Sequence, residues 1–451
     1  MTGFKDYDEY MGNVFDCVNK CLFQYLENMK TVYSNGQGGY KNVLYPDLEM
    51  ASDSTREQIQ KFAAYTQESE AASGSAGEDE EEDWGDWDLD GESESEEEEE
   101  DESIDDELMG LLSTFGSMSE EEGEELLEQE KVQEQVMKID MDVTVRIKEI
   151  GERADISYQN GLVMPFYELC MKMKFDPFTV FCFACGILSS TQTDYAGVFQ
   201  IVNENGGLSS PTIECAGKLY YGKNYSITGA YGDMSVCLEQ LLPVLDLHVV
   251  PSMPFSTAVS PDKRIIDYLF GKDPLKLDEN YSRFIRMLTD DKELDPILAN
   301  DGQLESMKIS YNEGVRIFSY FGDEGSGRKF FIKHFCREQN MRAISMNCKK
   351  LFIYDFQFVE KALWAITREC ILTNSCCVLD ELQFREDEKE KFYGYMDLAF
   401  SKLVDKGVLV FCISKEELSM REITKEEVTT LEIPTPSNAE RIECWKFFAK
   451  D

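Results

Sequence analysis

Gly322-Asp323-Glu324-Gly325-Ser326-Gly327-Arg328-Lys329 is the stretch on which the reading of the fold turns. It directly follows the apolar, β-prone run Ile317 to Phe321 and directly precedes a segment of helical spacing. Glycines let successive backbone N–H groups turn inward, and a helix N-terminus adds a favourable field. A glycine-rich turn from strand to helix is therefore a device for holding phosphate. Gly322 and Gly327 meet the Gly-x4-Gly spacing. The next two positions depart from the usual motif. Arg328 fills the lysine slot; it keeps the charge but is longer and planar, and does not replace lysine in a tight cradle. Lys329 fills the Ser/Thr slot, whose hydroxyl ordinarily ligates Mg²⁺, and a cation cannot do so. One place further along a helix also turns Lys329 by about 100°. The candidate phosphate-holding residues are Gly322, Gly325, Ser326, Gly327, Arg328 and Lys329.

Outward from this loop, Cys376-Cys377-Val378-Leu379-Asp380-Glu381 is an apolar strand ending in two acids. In phosphate hydrolases such a pair holds a metal (Asp380) and orients and deprotonates water (Glu381). Alone it reads equally as two solvated acids at a strand end. It gains meaning from lying 52 residues after Arg328, room for one further strand and its helices. A third signal is the strand Val408 to Ile413, ending at Ser414. Ser414 reads either as a polar contact to a terminal phosphate or as a helix N-cap, because Lys415-Glu416-Glu417-Leu418 follows.

Around these motifs, residues 308–433 alternate strand and helix. The expected strands are Val315–Phe321, Arg342–Met346, Ser375–Leu379, Val408–Ile413 and Thr429–Ile433. The expected helices are Arg328–Gln339, Val359–Thr373 and Glu388–Asp405. Short apolar strands separated by helices call for a parallel sheet with right-handed crossovers. Residues 131–300 read as mostly helical. Asp176-Pro177 suits a helix start, the run Phe178 to Leu188 predicts a helix buried on most sides, and Pro261 to Phe270 predicts another. Leu247 to Val250 is β-prone. At the other end, Tyr10, Val14, Val18, Cys21, Leu22, Tyr25 and Met29 recur at helical spacing. Asn35-Gly36-Gln37-Gly38-Gly39 breaks that pattern, and Ser54 to Gln67 resumes it, so residues 1–67 predict an amphipathic hairpin.

The charge balance is uneven. The 451 residues carry 88 acids and 44 bases, a net charge of −44. From Glu78 to Glu130 there are 28 acids and no Lys or Arg; removing that stretch leaves a net of −16. Residues 68–130 cannot bury enough apolar area to offset chain entropy and are expected to be disordered. Trp84 with Trp87, and Leu108 to Leu112, are small apolar islands within them. The segment reads as a solvating linker or as an acidic docking motif for a basic partner. So acidic a chain does not bind nucleic acid through bulk electrostatics. No run of 18 apolar residues predicts a membrane span. Fourteen cysteines with no secretory pattern at the N-terminus predict reduced thiols and a cytoplasmic setting. Cys182-Phe183-Ala184-Cys185 lies inside an apolar helical run with no second pair, so it reads as core.

The three motifs in this order resemble those of the AAA+ ATPases. Gly322 to Lys329 looks like a Walker A loop, Val378 to Glu381 like Walker B, and Ser414 sits where sensor 1 belongs. Pro434 to Arg441 is similar to the turn and helix after that superfamily's last core strand. Phe175-Asp176-Pro177-Phe178-Thr179-Val180-Phe181 and Ser260 to Leu269 resemble two helices of a bacterial AAA+ group with an N-terminal winged-helix-like domain, often found beside contractile injection systems.

The resemblance covers roughly residues 130–451. It implies an α/β fold: a P-loop ASCE (AAA+) parallel-sheet core at 301–451, preceded by a mostly helical winged-helix-like domain at 131–300. It implies ATP and Mg²⁺ as cofactors, Asp380 on the metal, Glu381 and Ser414 as catalytic residues, a protein substrate or assembly partner, and homo-oligomers. Lys349-Lys350-Leu351-Phe352 falls where the superfamily places a pore loop. Arg328-Lys329 implies weak or absent Mg²⁺-dependent hydrolysis. The superfamily's lid and sensor 2 arginine would lie beyond Asp451, so the chain is expected to be a fragment or a truncated member. Two functions compete: a nucleotide-binding module that remodels or assembles a protein partner, and a nucleotide-independent scaffold that docks partners through its helical part and acidic insert.

Overall fold

Five of the strands expected from the sequence alternate their side chains between two apolar layers, as the two-residue period of a pleated strand requires. The computed structural model describes residues 2–34 and 142–449, apart from 204, 247–251, 272, 274, 290–292 and 301. The predicted break at 35–39, the helix Ser54 to Gln67, the acidic segment 68–130 and the β-prone stretch Leu247 to Val250 therefore lie outside the described residues. The chain divides into two compact units, Met1–Phe15 with Ile147–Asp451, and Asp16–Arg146. The described residues of the second unit are part of α1 (Tyr7–Ser34), Asp142 and the start of α2 (Val143–Gln159).

Within the first unit the N-terminal residues pack on α2. The Phe4 N–H donates to Ser157 Oγ at 2.6 Å, and the Arg153 guanidinium lies 4.0 Å from the Phe4 ring centre. The helical part continues with α3 (Pro165–Met173), α4 (Pro177–Thr191), α5 (Asp194–Val202), α6 (Ile213–Tyr221), α7 (Ile227–Leu241) and α8 (Lys263–Leu269). α4 begins as its sequence dictates. Asp176 accepts the Thr179 N–H at 2.8 Å, and Pro177, which has no N–H, takes the first turn. Being apolar nearly all round, α4 is buried, with Phe181, Phe183 and Leu188 fully enclosed. Each such side chain contributes about 1.5–3 kcal/mol of burial. Between residues 142 and 284, the β pairing among described residues is two isolated bridges, Thr212 with Ala258 and Leu245 with Pro261.

The sheet comprises β1 (Ile285–Met287), β2 (Ile317–Phe321), β3 (Arg342–Asn347), β4 (Ser375–Asp380), β5 (Val410–Ser414) and β6 (Val428–Glu432). Its spatial order is β1-β3-β4-β5-β2-β6, parallel throughout except that β1 runs antiparallel to β3 at one edge. β1 was not anticipated. Ile285-Arg286-Met287 is too short to show a period, and its backbone is ordered by pairing with β3.

The remaining helices are α9 (Gly302–Asn312), α10 (Arg328–Glu338), α11 (Cys348–Leu351), α12 (Phe356–Leu372), α13 (Lys389–Val404), α14 (Met420–Ile423) and α15 (Asn438–Phe448). α12 and α13 cover one face of the sheet, against Ile317, Ile344, Leu379, Val410 and Cys412. α9 and α10 cover the other, against Phe318, Tyr320, Val378, Phe411 and Ile413. Phe352 is 6% exposed and packs edge-on against Phe392, so the aromatic side chain proposed for a pore loop belongs to the core. Thirteen of the fourteen thiols are buried, Cys444 being half-buried. Burial pushes the Cys182 thiol well up, which keeps it protonated, and Cys185 beside it is equally enclosed.

The helical part is tied to the sheet layers by a buried ionic cluster. Arg368 on α12 pairs with Asp262, the N-cap of α8, at 3.1 Å and with Asp278 at 2.5 Å. Its neighbour Glu369 accepts Arg264 Nε at 3.3 Å and Arg368 Nε at 3.4 Å. Arg368 and Glu369 are 1% and 0% exposed. Truncating one member of so enclosed a set would leave an uncompensated charge.

Candidate functional site

The site is built where two neighbouring parallel strands send the chain in opposite directions. After β2 the chain crosses to β3, three positions away; after β5 it crosses back past β2 to β6. Ligands of open parallel sheets bind outside the carboxyl ends of the strands at such a point. Register sets the level of each group. Phe321 is opposite Ser414, and Leu379 is opposite Cys412, so the loop after β2, the end of β5 and the acids after β4 reach the same edge.

The glycine loop closes tightly over that edge. The Gly322 N–H donates to the Lys415 carbonyl at 3.2 Å. Gly322 has φ +147, and a Cβ there would lie 2.4 Å from the Ile433 carbonyl oxygen, so no side chain fits. Gly325 and Gly327 have φ +86 and +96, left-handed values that turn the backbone into α10. Among the described residues, none accepts a hydrogen bond from the backbone N–H of Gly325, Gly327, Arg328 or Lys329. Four donors without acceptors at a helix N-terminus form a concavity suited to an anion.

A cleft of ≈ 440 Å³ opens above the loop. It is lined by Glu324, Gly325, Gly327, Arg328 and Lys329, by Asp380 and Glu381 at the end of β4, and by Ser414 and Lys415 at the end of β5. Seven of the nine residues singled out from the sequence therefore line one cavity. Gly322 and Ser326 do not. Gly322 underlies the loop, and Ser326 is 3% exposed with its hydroxyl unpartnered among the described residues, 3.3 Å from where a Gly322 Cβ would sit.

The two loop cations reach across the cleft. Arg328 Nη1 donates to the Ser414 carbonyl. Lys329 Nζ lies 2.5 Å from Asp380 Oδ2. The turn of α10 that carries Lys329 away from the direction of Arg328 thus aims it at β4. Ser414 is not a helix N-cap: no helix begins at Lys415, and the Ser414 hydroxyl donates to the Glu416 carbonyl at 2.7 Å. Glu381 is exposed and has φ +58, a left-handed conformation uncommon outside glycine. Such strain of about 1–3 kcal/mol persists where surrounding structure enforces it, and functional sites collect it.

Two further residues were not foreseen. Ser345, on β3, donates to Asp380 Oδ2 at 3.3 Å, and Arg286, on the edge strand, lies 3.8 Å from the same oxygen. Ser345 left a trace in the sequence, since it is a lone hydroxyl amid Ala343, Ile344 and Met346. Arg286 left none, its strand being invisible.

The donor set does not fit Mg²⁺ in the usual manner. The position that should bring a hydroxyl brings an ammonium, that ammonium is already on Asp380, and the nearest loop hydroxyl, Ser326, lies outside the cleft. Among the described residues no cluster of three or more His, Cys, Asp or Glu is arranged to hold a metal ion. Nor is any described helix long and apolar enough to cross a membrane.

No family model matches the chain, and no curated protein matches it. Among solved structures, the chain has a similarity to the structure of Rhizobiales Trip13, at 14% identity and a TM-score of 0.20. The match covers 32% of this chain, and the chain spans 59% of that structure.

Proposed function

We propose that this chain is a nucleotide-binding module of the P-loop, AAA+ type, which couples ATP binding to the remodelling or assembly of a protein partner. One observation carries the reading: the glycine loop after β2 and the acidic pair at the end of β4 line one cleft, with the end of β5 between them. The order β3-β4-β5-β2-β6 supports it, because a phosphate-binding strand then stands next to the strand bearing Ser414 and one removed from the strand bearing Asp380. The unsatisfied N–H groups of Gly325, Gly327, Arg328 and Lys329 would receive phosphate oxygens. Arg328 and Lys329 would supply the neutralising charge, and Glu381, which lines the same cleft, would lie near the terminal phosphate. No hydrolytic step through Mg²⁺ follows from these residues.

The test is calorimetric titration of the full chain with ATP, with AMP as the control. Saturable heat for ATP and weaker or no heat for AMP is expected; no heat for ATP would remove the reading. Phosphate release should be equally low in wild type and in Glu381→Gln, and a marked difference between them would restore a catalytic role to Glu381.

The alternative, a nucleotide-independent scaffold, is favoured by a single observation: both loop cations already have acceptors within the chain. Under that reading the cations serve as straps that fasten the loop to β4 and β5.

A further inference from the structure

Three donors converge on one oxygen at the wall of the cleft. Asp380 Oδ2 takes Lys329 Nζ at 2.5 Å and Ser345 Oγ at 3.3 Å, with Arg286 Nη2 at 3.8 Å. A carboxylate oxygen has two lone pairs, and here both are engaged before the outlying guanidinium is considered. A divalent cation entering at this carboxylate would have to displace the ammonium or sit beside it, like charge against like charge. It would find no loop hydroxyl to complete its shell, because position 329 brings a cation and Ser326 lies outside the cleft.

The geometry points to Lys329 as a built-in replacement for the divalent cation, so that the cleft takes the triphosphate of a nucleoside triphosphate without metal. This rests on reading the cleft as a nucleotide site. The chemistry is direct. An ammonium has three N–H donors, and one is used on Asp380. Two remain for phosphate oxygens as charge-assisted hydrogen bonds. Asp380 then holds Lys329 in place, fixing the orientation of a long side chain that would otherwise lose entropy on binding. Ser345 in turn fixes the carboxylate. A metal would bridge protein and phosphate by coordination, whereas here the bridge is a side chain attached to the first turn of α10. Glu324, also on the cleft wall, would disfavour ligands carrying excess negative charge uncompensated by Arg328 and Lys329.

The experiment is titration of the full chain with ATP in EDTA and again in excess Mg²⁺. Wild type is expected to bind with affinities that differ by less than about threefold between the two buffers. Lys329→Ser restores a hydroxyl and removes the cation. It is expected to bind at least about tenfold more weakly than wild type in EDTA and to recover when Mg²⁺ is added. Wild-type binding that requires Mg²⁺ would overturn the inference while leaving the nucleotide reading standing. So would Lys329→Ser binding in EDTA as tightly as wild type. Absence of ATP binding by wild type in both buffers would remove the nucleotide reading, and this inference with it. A melting curve establishes whether Lys329→Ser folds; if it does not, the two wild-type titrations decide alone.

Discussion

Two ionic clusters adjoin the same sheet, and they differ in how far they are enclosed. Around Arg368, a buried guanidinium meets buried Asp278 and Glu369 and the half-buried Asp262 between α8, α12 and the turn at Asp278. Around Asp380, an ammonium and a carboxylate meet at the wall of a cleft, where the lysine side chain retains 36% of its exposure. In the first cluster all three guanidinium nitrogens of Arg368 lie on carboxylates of the protein. The second keeps ammonium donors and four backbone N–H groups unused among the described residues. Burial with pairing inside the protein makes a joint, and partial exposure with spare donors makes the receptor that the proposed function calls for.

The sharpest way to break the comparison is Arg368→Met. It leaves Asp278 and Glu369 buried without their main cation, at 5% and 0% exposure. A loss of about 3–5 kcal/mol in urea unfolding is expected. A loss below about 1 kcal/mol would mean that water enters the joint. Gly322→Ala tests the backbone of the receptor rather than its charge. The added Cβ meets the Ile433 carbonyl in a conformation unfavourable to L residues, so a loss of about 1–3 kcal/mol and a weakened cleft are expected. Lys329→Ala should change stability by about 1 kcal/mol or less, because the pair is partly solvated. If it matched Arg368→Met, the distinction between joint and receptor would fail.

The smallest effect is a slope with pH. Burial holds the Glu369 carboxyl above its ordinary value of 4.5, outweighing the attraction of Arg368 and Arg264. Just above that value the folded chain keeps a proton that the unfolded chain has released. The contribution is full below the unfolded value and is lost as pH rises through the folded one. Wild type should therefore lose stability relative to Glu369→Gln as the pH is raised from 4.5, as urea midpoints measured over that interval would show. A flat difference would place Glu369 in a fully compensated ion pair at all these pH values.

The residues that line the cleft could be picked out in the sequence and those of the joint could not, for a physical reason. A glycine loop between strand and helix is a local device, and its residues announce themselves within eight positions. Asp380 and Glu381 end an apolar run, which is also a local signal. The partners of Arg368 lie 90 and 106 residues upstream, and nothing in α12 marks Arg368 as more than a charge on a helix. β1 was hidden by length, and Phe352 by the assumption that a loop after a strand is exposed, when Phe392 and Tyr395 in fact enclose it. Lys329 was legible as an anomaly; its partner was not, since direction on the first turn of a helix depends on where the sheet places β4.

Because thirteen of the fourteen sulfhydryls are enclosed, the protein carries its own opening clock. Cys376 and Cys377 sit on opposite faces of β4, the strand that ends at Asp380. An alkylating reagent reaches them only when that strand parts from its covering helices, so the pace of their modification counts those partings. A ligand that clasps the loop to β4 from above would slow the count without touching either sulfur.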